Sequence, residues 1–456
     1  VLDNVNNLIE GSGRLGDAQM TLINAAKGTI SATGTASQLV INTGANVVGN
    51  SGLIESVGPA GLLIQSTTVN NGTLGVISAA GGNVYLQGAT IQGGTLNGSG
   101  TFIEQSGSTL DSSTNSIIND TTVEVSNNTQ LYLLGTLTNT GTIAVSSNAN
   151  ATSLIVGPGG TTPGTMTLSG GGQVILSDNS NNFIYGQIGG DTLVNLNNTI
   201  SGAGDIGDNQ LVLINDATID ANGSNTLTLV TDNVITNNAL LESTGTGGLL
   251  IQNSTVNNGT TGTISAAGGN VTLTNATVQG GTLNGTGSFI AVNNSTLDGT
   301  ANTLTNDTTV NLFNNNAMFL LGTLDNVGTL AVNSTANSTV LEIGPGTAAG
   351  TVTLTGGGQV ILSNNNNNYL YGRIASDTLV NLNNTISGAG VIGDNQLILI
   401  NDATIDANDS TGLLINTTGF TNNGLLESTG TGGMTIAAAI SNASGTVAAA
   451  GGNITL

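Results

Sequence analysis

Cysteine, histidine and tryptophan are absent from the 456 residues. Without cysteine there is no disulfide scaffold, no Cys-type zinc site and no thiol nucleophile. Without histidine, Ser–His–Asp catalysis and His-ligated zinc drop out. Basic charge is nearly missing as well. Arg14, Lys27 and Arg373 stand against 26 acids, for a formal net charge of −23. Such a chain offers no basic patch to a phosphate backbone and is disfavoured near an anionic membrane. Neither a nucleic-acid partner nor membrane insertion is expected; cations, neutral glycans and proteins, including further copies of itself, remain. No apolar run approaches the roughly 18 residues of a spanning helix. Charged residues are only 6% and aromatics 2%, where an average domain carries roughly 25% charge.

What is present is glycine, at 69 residues, with much Asn, Thr, Ser and Ala. The hydrophobic fraction is still 38%, and small aliphatics are spread evenly. A disordered chain lacks that supply of Val, Ile and Leu. The composition therefore implies an ordered chain with a thin, regular core.

The chain repeats itself. "DTLVNLNNTISGAG" occupies 191–204 and returns at 377–390, a step of 377 − 191 = 186. "GGGQVILS" at 170–177 returns at 356–363, and "IGDNQL" at 206–211 returns at 392–397. The copies fall as a partial one over 1–50, full ones over 51–237 and 238–423, and a partial one over 424–456. Val1 sits at the phase of Thr192 and Leu456 at that of Leu273, so the sequence reads as a window on a longer repetitive chain.

A shorter period runs inside each copy. "TFIE" (101–104), "TVEV" (122–125), "TIAV" (142–145), "QVIL" (173–176) and "FIYG" (183–186) alternate apolar and polar residues between Gly, Asn, Asp and Ser. That is the pattern of short strands and turns, and no helical period competes with it. The phrase N-x-G-[T/L]-[I/L] recurs at 70–74, 139–143, 326–330 and 422–426. In a stack of parallel coils such Asn residues would meet one rung apart and bond as a ladder. The glycine beside each would supply a positive φ at the corner. The expected fold is an all-β parallel β-helix, one continuous β-solenoid over 1–456. Coils of ~20–24 residues, ~4.8 Å apart, would make about twenty rungs.

Coils such as "NTGTIAV" (139–145) and "GTISAAGGNVTL" (262–273) resemble the repetitive β-solenoid stalks of bacterial secreted adhesins. That group includes filamentous-haemagglutinin-like proteins and autotransporter passengers. The resemblance implies a right-handed winding, export to the bacterial cell surface, and a role in adhesion or matrix building.

Comparison of the copies sorts the candidate sites. Asp205 is replaced by Val391 and by Leu15, whereas Asp17, Asp208 and Asp394 persist, as do Glu55, Glu242 and Glu427. The three aspartates are candidate calcium ligands, since calcium takes six to eight oxygens. The competing explanation is an Asp closing a turn after Gly, with the glutamates on an outer strand face. Asp216 and Asp220 could in principle serve as a glycosidase carboxylate pair. The few, scattered basic residues and the repetition argue for a non-enzyme, with no cofactor beyond calcium. Phe183 with Tyr185, and Tyr369 with Tyr371, place two rings on one face at period two. They are the candidate glycan contacts; the alternative is a ring capping the bore or packed under a loop. Tyr132 matches Phe319 and Phe102 matches Phe289.

Overall fold

The computed structural model describes residues 1–231 and 233–456, in two compact units, Val1–Ile235 and Thr236–Leu456. Each unit is a β-solenoid, and the turns number about 21 in all. Every ladder described within a unit is parallel. No helix occurs among the described residues. The short alternating phrases are strands: "QVIL" is Gln173–Leu176, and "FIYG" lies within Asn182–Gly186.

Alternation puts every second side chain into the bore, and stacking sets like upon like. In the first unit Leu39, Leu62, Val84, Phe102, Val123, Ile143, Val174, Ile200 and Ile219 form one unbroken column of register partners. In the second, Leu249, Val271, Phe289, Val310, Leu330, Val360, Ile386, Ile405 and Leu426 do the same. All of these side chains are buried. The bore takes one ring at the same rung of each column, Phe102 and Phe289.

Coil length is less uniform than the sequence suggests. Val84 to Phe102 is 102 − 84 = 18 residues, and Ile143 to Val174 is 174 − 143 = 31. The short coils turn their corners inside long strands such as Thr90–Ser106, with register shifts at the bends. The long ones carry an outward loop, "GPGGTTPG" at 157–164.

The Asn ladder forms. Asn4 Nδ2 donates to Asn24 Oδ1 at 2.9 Å, Asn24 to Asn50 at 2.8 Å and Asn50 to Asn71 at 2.8 Å. In the second unit Asn381 donates to Asn401 at 2.9 Å and Asn401 to Asn422 at 2.8 Å. Buried amides satisfied by one another remove a desolvation cost that would otherwise break the fold. In "NNGTL" the rung is Asn71, and Asn70 is exposed.

The glycine of the phrase needs a different explanation from the expected one. Gly72 does have φ +55°, but Gly141, Gly328 and Gly424 lie outside the left-handed region. At those three, a Cβ would collide with the carbonyl oxygen of Thr121, Thr308 or Ala403 in the coil below. Close approach of backbone, rather than handedness, excludes a side chain there.

The repeated fourteen-residue phrase also acquires a physical meaning. Asp191 is fully buried, and its carboxylate accepts the amides of Gly164 (2.7 Å) and Ile188 (2.9 Å). Asp377 does the same with Gly350 (2.8 Å) and Ile374 (2.9 Å). Asn198 spans a gap in the ladder. In the coil between Asn139 and Asn195 the glycine triplet 170–172 follows Ser169, the register partner of Thr138, so no amide side chain stands at the ladder position. Asn198 fills that slot: its Oδ1 accepts from Asn139 at 2.8 Å and its Nδ2 donates to Ser169 O at 2.9 Å. Asn384 repeats the device, accepting from Asn326 at 2.7 Å.

Candidate functional surface

Outward positions of the strands are the ones a partner can reach. Within Asn182–Gly186 the even-numbered residues are buried, and Phe183 and Tyr185 leave the same face, half-buried. Tyr369 and Tyr371 do so in Asn368–Gly372, their rings edge to face with centroids 6.2 Å apart at 76°. Phe102 and Phe289, by contrast, are wholly inside the bore.

Stacking joins these rings to others. In the first unit Tyr132, Ile155 and Tyr185 are register partners in successive coils. Beside them run Gln130, Ser153, Phe183 and Asp205. The matching column of the second unit is Phe319, Glu342 and Tyr371, flanked by Ala317, Val340, Tyr369 and Val391.

The two columns differ in chemistry. In the second unit the Arg373 guanidinium lies 4.3 Å from the centroid of the Phe319 ring. Its Nε is 3.4 Å from Glu342 Oε2, and its Nη1 donates to Pro345 O at 3.1 Å. Burial raises the Glu342 carboxyl, and the Arg373 charge and the Tyr371 hydroxyl pull it back. Burial and the Glu342 charge raise the Tyr371 hydroxyl. In the first unit Gln187 stands where Arg373 does, and Ile155 where Glu342 does.

Two clefts flank the first column. One, of about 650 Å³, is lined by Gln105, Asn128, Gln130, Ser153 and Tyr185 among others. The other, of about 210 Å³, includes Tyr132, Pro158 and Gln187. Gln130 joins them, its Nε2 donating to the Tyr132 hydroxyl at 2.7 Å. Burial raises the Tyr132 hydroxyl, with Tyr185 adding to it. Burial pushes the Asp205 carboxyl up to about 6; the Asp208 amide opposes this and the Asp208 charge adds to it.

The candidate calcium ligands occupy turns. Asp17 and Ala18 have φ 48° and 59°, Asp208 and Asn209 43° and 58°, Asp394 and Asn395 42° and 55°. Two successive positive φ values define the type I′ turn, which favours Asp and Asn. Each turn closes on its preceding glycine: Gln19 N–H to Gly16 O (3.1 Å), Gln210 to Gly207 (2.9 Å), Gln396 to Gly393 (2.8 Å). All three aspartates are exposed. Among the described residues no group of three or more acidic side chains is placed to hold a metal ion. Glu55, Glu242 and Glu427 lie on outer strand faces, Glu55 between Ser31 and Ser78, and Glu427 between Asp406 and Ala448. Asp220 also faces outward, beside Ser201.

One acid goes where sequence reasoning did not put it. Glu104 points into the bore between Leu86 and Val125 and has no exposed surface. Its Oε1 accepts the Ser106 amide at 2.6 Å, and its Oε2 is buried without a hydrogen-bond partner. Burial raises its carboxyl above the usual range, against the pull of the Ser108 hydroxyl and the amides of 106–108. The signal was available: in "TFIE" Glu104 shares its parity with inward Phe102. The corresponding residue in the next copy is Ala291. No family model matches the chain, and neither a curated protein nor a solved structure matches it.

Proposed function

We propose that this chain is an extracellular structural protein of a bacterial surface. It is a stiff repetitive spacer that serves as an adhesin stalk or as a subunit of a surface or matrix filament, with no enzymatic role. The observation that carries this reading is the Asn ladder on parallel coils. Backbone and side-chain amides bond from rung to rung, so each coil is held by the coils next to it, with Asn198 and Asn384 reaching one coil further. Such stacking resists bending and leaves little loose chain to a protease. The net charge of −23 keeps neighbouring molecules soluble. Pulling single molecules, together with timed digestion by a broad-specificity protease, tests the reading. High unfolding force and slow digestion are expected. Rapid digestion, or release of product from a polysaccharide substrate panel, would overturn it. A strictly monomeric state at high concentration would remove the filament branch and leave the stalk.

A second reading is an adhesive module for glycan or calcium. The half-buried outward rings beside polar clefts favour its glycan half. An unchanged melting temperature on chelation would remove the calcium half.

A further inference from the structure

The two copies of the outward aromatic column have the same frame and opposite fillings. In the second unit the space beside the ring column is occupied by the chain's own Arg373, stacked on Phe319 and paired with Glu342. In the first unit both charges are gone. Ile155 replaces Glu342, is only 4% exposed, and lies in register between Tyr132 and Tyr185. Gln187 replaces Arg373 and lines a cleft instead of closing one. That cleft is about 210 Å³; the larger one beside it, about 650 Å³ and lined by Tyr185 and Gln130, falls within the roughly 300–1,000 Å³ of small-molecule sites.

The lining chemistry names the ligand class. Tyr132 and Tyr185 offer ring surface, while Gln105, Asn128, Gln130 and Gln187 offer carboxamides that both donate and accept. No charged side chain lines either cleft. Apolar ring faces beside uncharged hydrogen-bonding groups match a sugar, which has C–H faces and a hydroxyl rim. The nearest acid in the neighbouring column, Asp205, and the acidic chain as a whole work against an anionic one. We infer that the two clefts along the Tyr132–Tyr185 column of the first unit, joined by Gln130, together bind a neutral oligosaccharide, and that Arg373 fills the second unit's equivalent of the smaller one, where Gln187 stands. This inference rests on the glycan reading and is independent of the structural one.

The test titrates the full chain with neutral hexasaccharides of glucose and of N-acetylglucosamine, and with an acidic oligogalacturonate, by calorimetry and saturation-transfer NMR. One neutral ligand should bind at a single site per chain, and the acidic one about tenfold more weakly or not at all. Tyr185→Ala should weaken binding about tenfold through loss of a ring face, and Tyr371→Ala should leave it unchanged. The pair Glu342→Ile and Arg373→Gln should unseal the cleft beside Phe319 and add a second, weaker binding event, because Val292, Ala317 and Val340 stand where Gln105, Gln130 and Ser153 line the first-unit cleft. Both tyrosines face outward, and an unaltered β-sheet circular dichroism spectrum confirms that the variants fold. Binding that ignores Tyr185→Ala, or two sites in the unmodified chain, would overturn the inference and spare the glycan reading. Failure of every neutral ligand at millimolar concentration would overturn both.

Discussion

Replacing Asn139 by Ala removes one rung of the ladder at a point where three bonds meet. Its Oδ1 accepts from Asn119 at 2.7 Å, and its Nδ2 donates to Asn198 Oδ1 at 2.8 Å and to Gln173 O at 3.0 Å. Asn119 Nδ2 keeps a long contact to Thr142 O at 3.4 Å, but the Asn198 acceptor loses its donor in a buried site. Each buried group left unpaired costs about 1–3 kcal/mol, so the substitution should cost about 3–4 kcal/mol in total. Because a solenoid coil depends on its neighbours, the loss should stay near the coils that hold residues 119, 139 and 198. Native-state hydrogen exchange reads this directly. Amide protection there should fall by about two to three orders of magnitude, at 1.4 kcal/mol per tenfold. The exposed Asn148 supplies the control, since Asn148→Ala should stay within about 0.5 kcal/mol. If the two variants lose protection equally, the ladder does not hold the coils together and the stiffness argument fails with it.

Three other perturbations have defined outcomes. Asp377→Ala removes a buried carboxylate that holds two half-buried amides and should cost about 3 kcal/mol in denaturant unfolding, with Asp377→Asn costing less. Gly328→Ala drives a Cβ into the Thr308 carbonyl and should destabilise by about 2 kcal/mol or more, although its φ suits alanine. Asp205 is protonated more tightly in the folded chain, near pH 6 against 3.8 unfolded. Its contribution is full below about pH 4 and is lost as pH rises through 6. Asp205→Asn should therefore melt with the parent at pH 4 and above it at pH 7, by about 1 kcal/mol after solvent screening.

The strand phrases were legible because alternation over four or five residues is a local property: "QVIL" and "TIAV" declare their inward face without reference to anything distant. The Asn ladder was legible for the same reason, since one phrase repeats its rung. Coil length was not, because a loop such as 157–164 adds residues without adding a strand. The glycines at 141, 328 and 424 were explained by φ because a sequence shows no neighbour. Only stacking reveals the carbonyl beneath. Asn198 was equally hidden, as its partner is 198 − 139 = 59 residues away. At the candidate surface, the shared face of Phe183 and Tyr185 followed from parity. The difference between Gln187 and Arg373 was visible as letters, but its effect depends on Glu342 and Phe319 lying one and two coils off.

Parallel, in-register stacking carries everything above, and the absence of native cysteine gives it a clean test. Thr353 and Val380 are outward register partners on neighbouring coils of the second unit, while Leu379, one residue away, points into the bore. Thr353→Cys with Val380→Cys should oxidise readily to a disulfide, whereas Thr353→Cys with Leu379→Cys should remain reduced under the same conditions. Equal oxidation of the two pairs, or none in the first, would contradict the stacking and the account built on it.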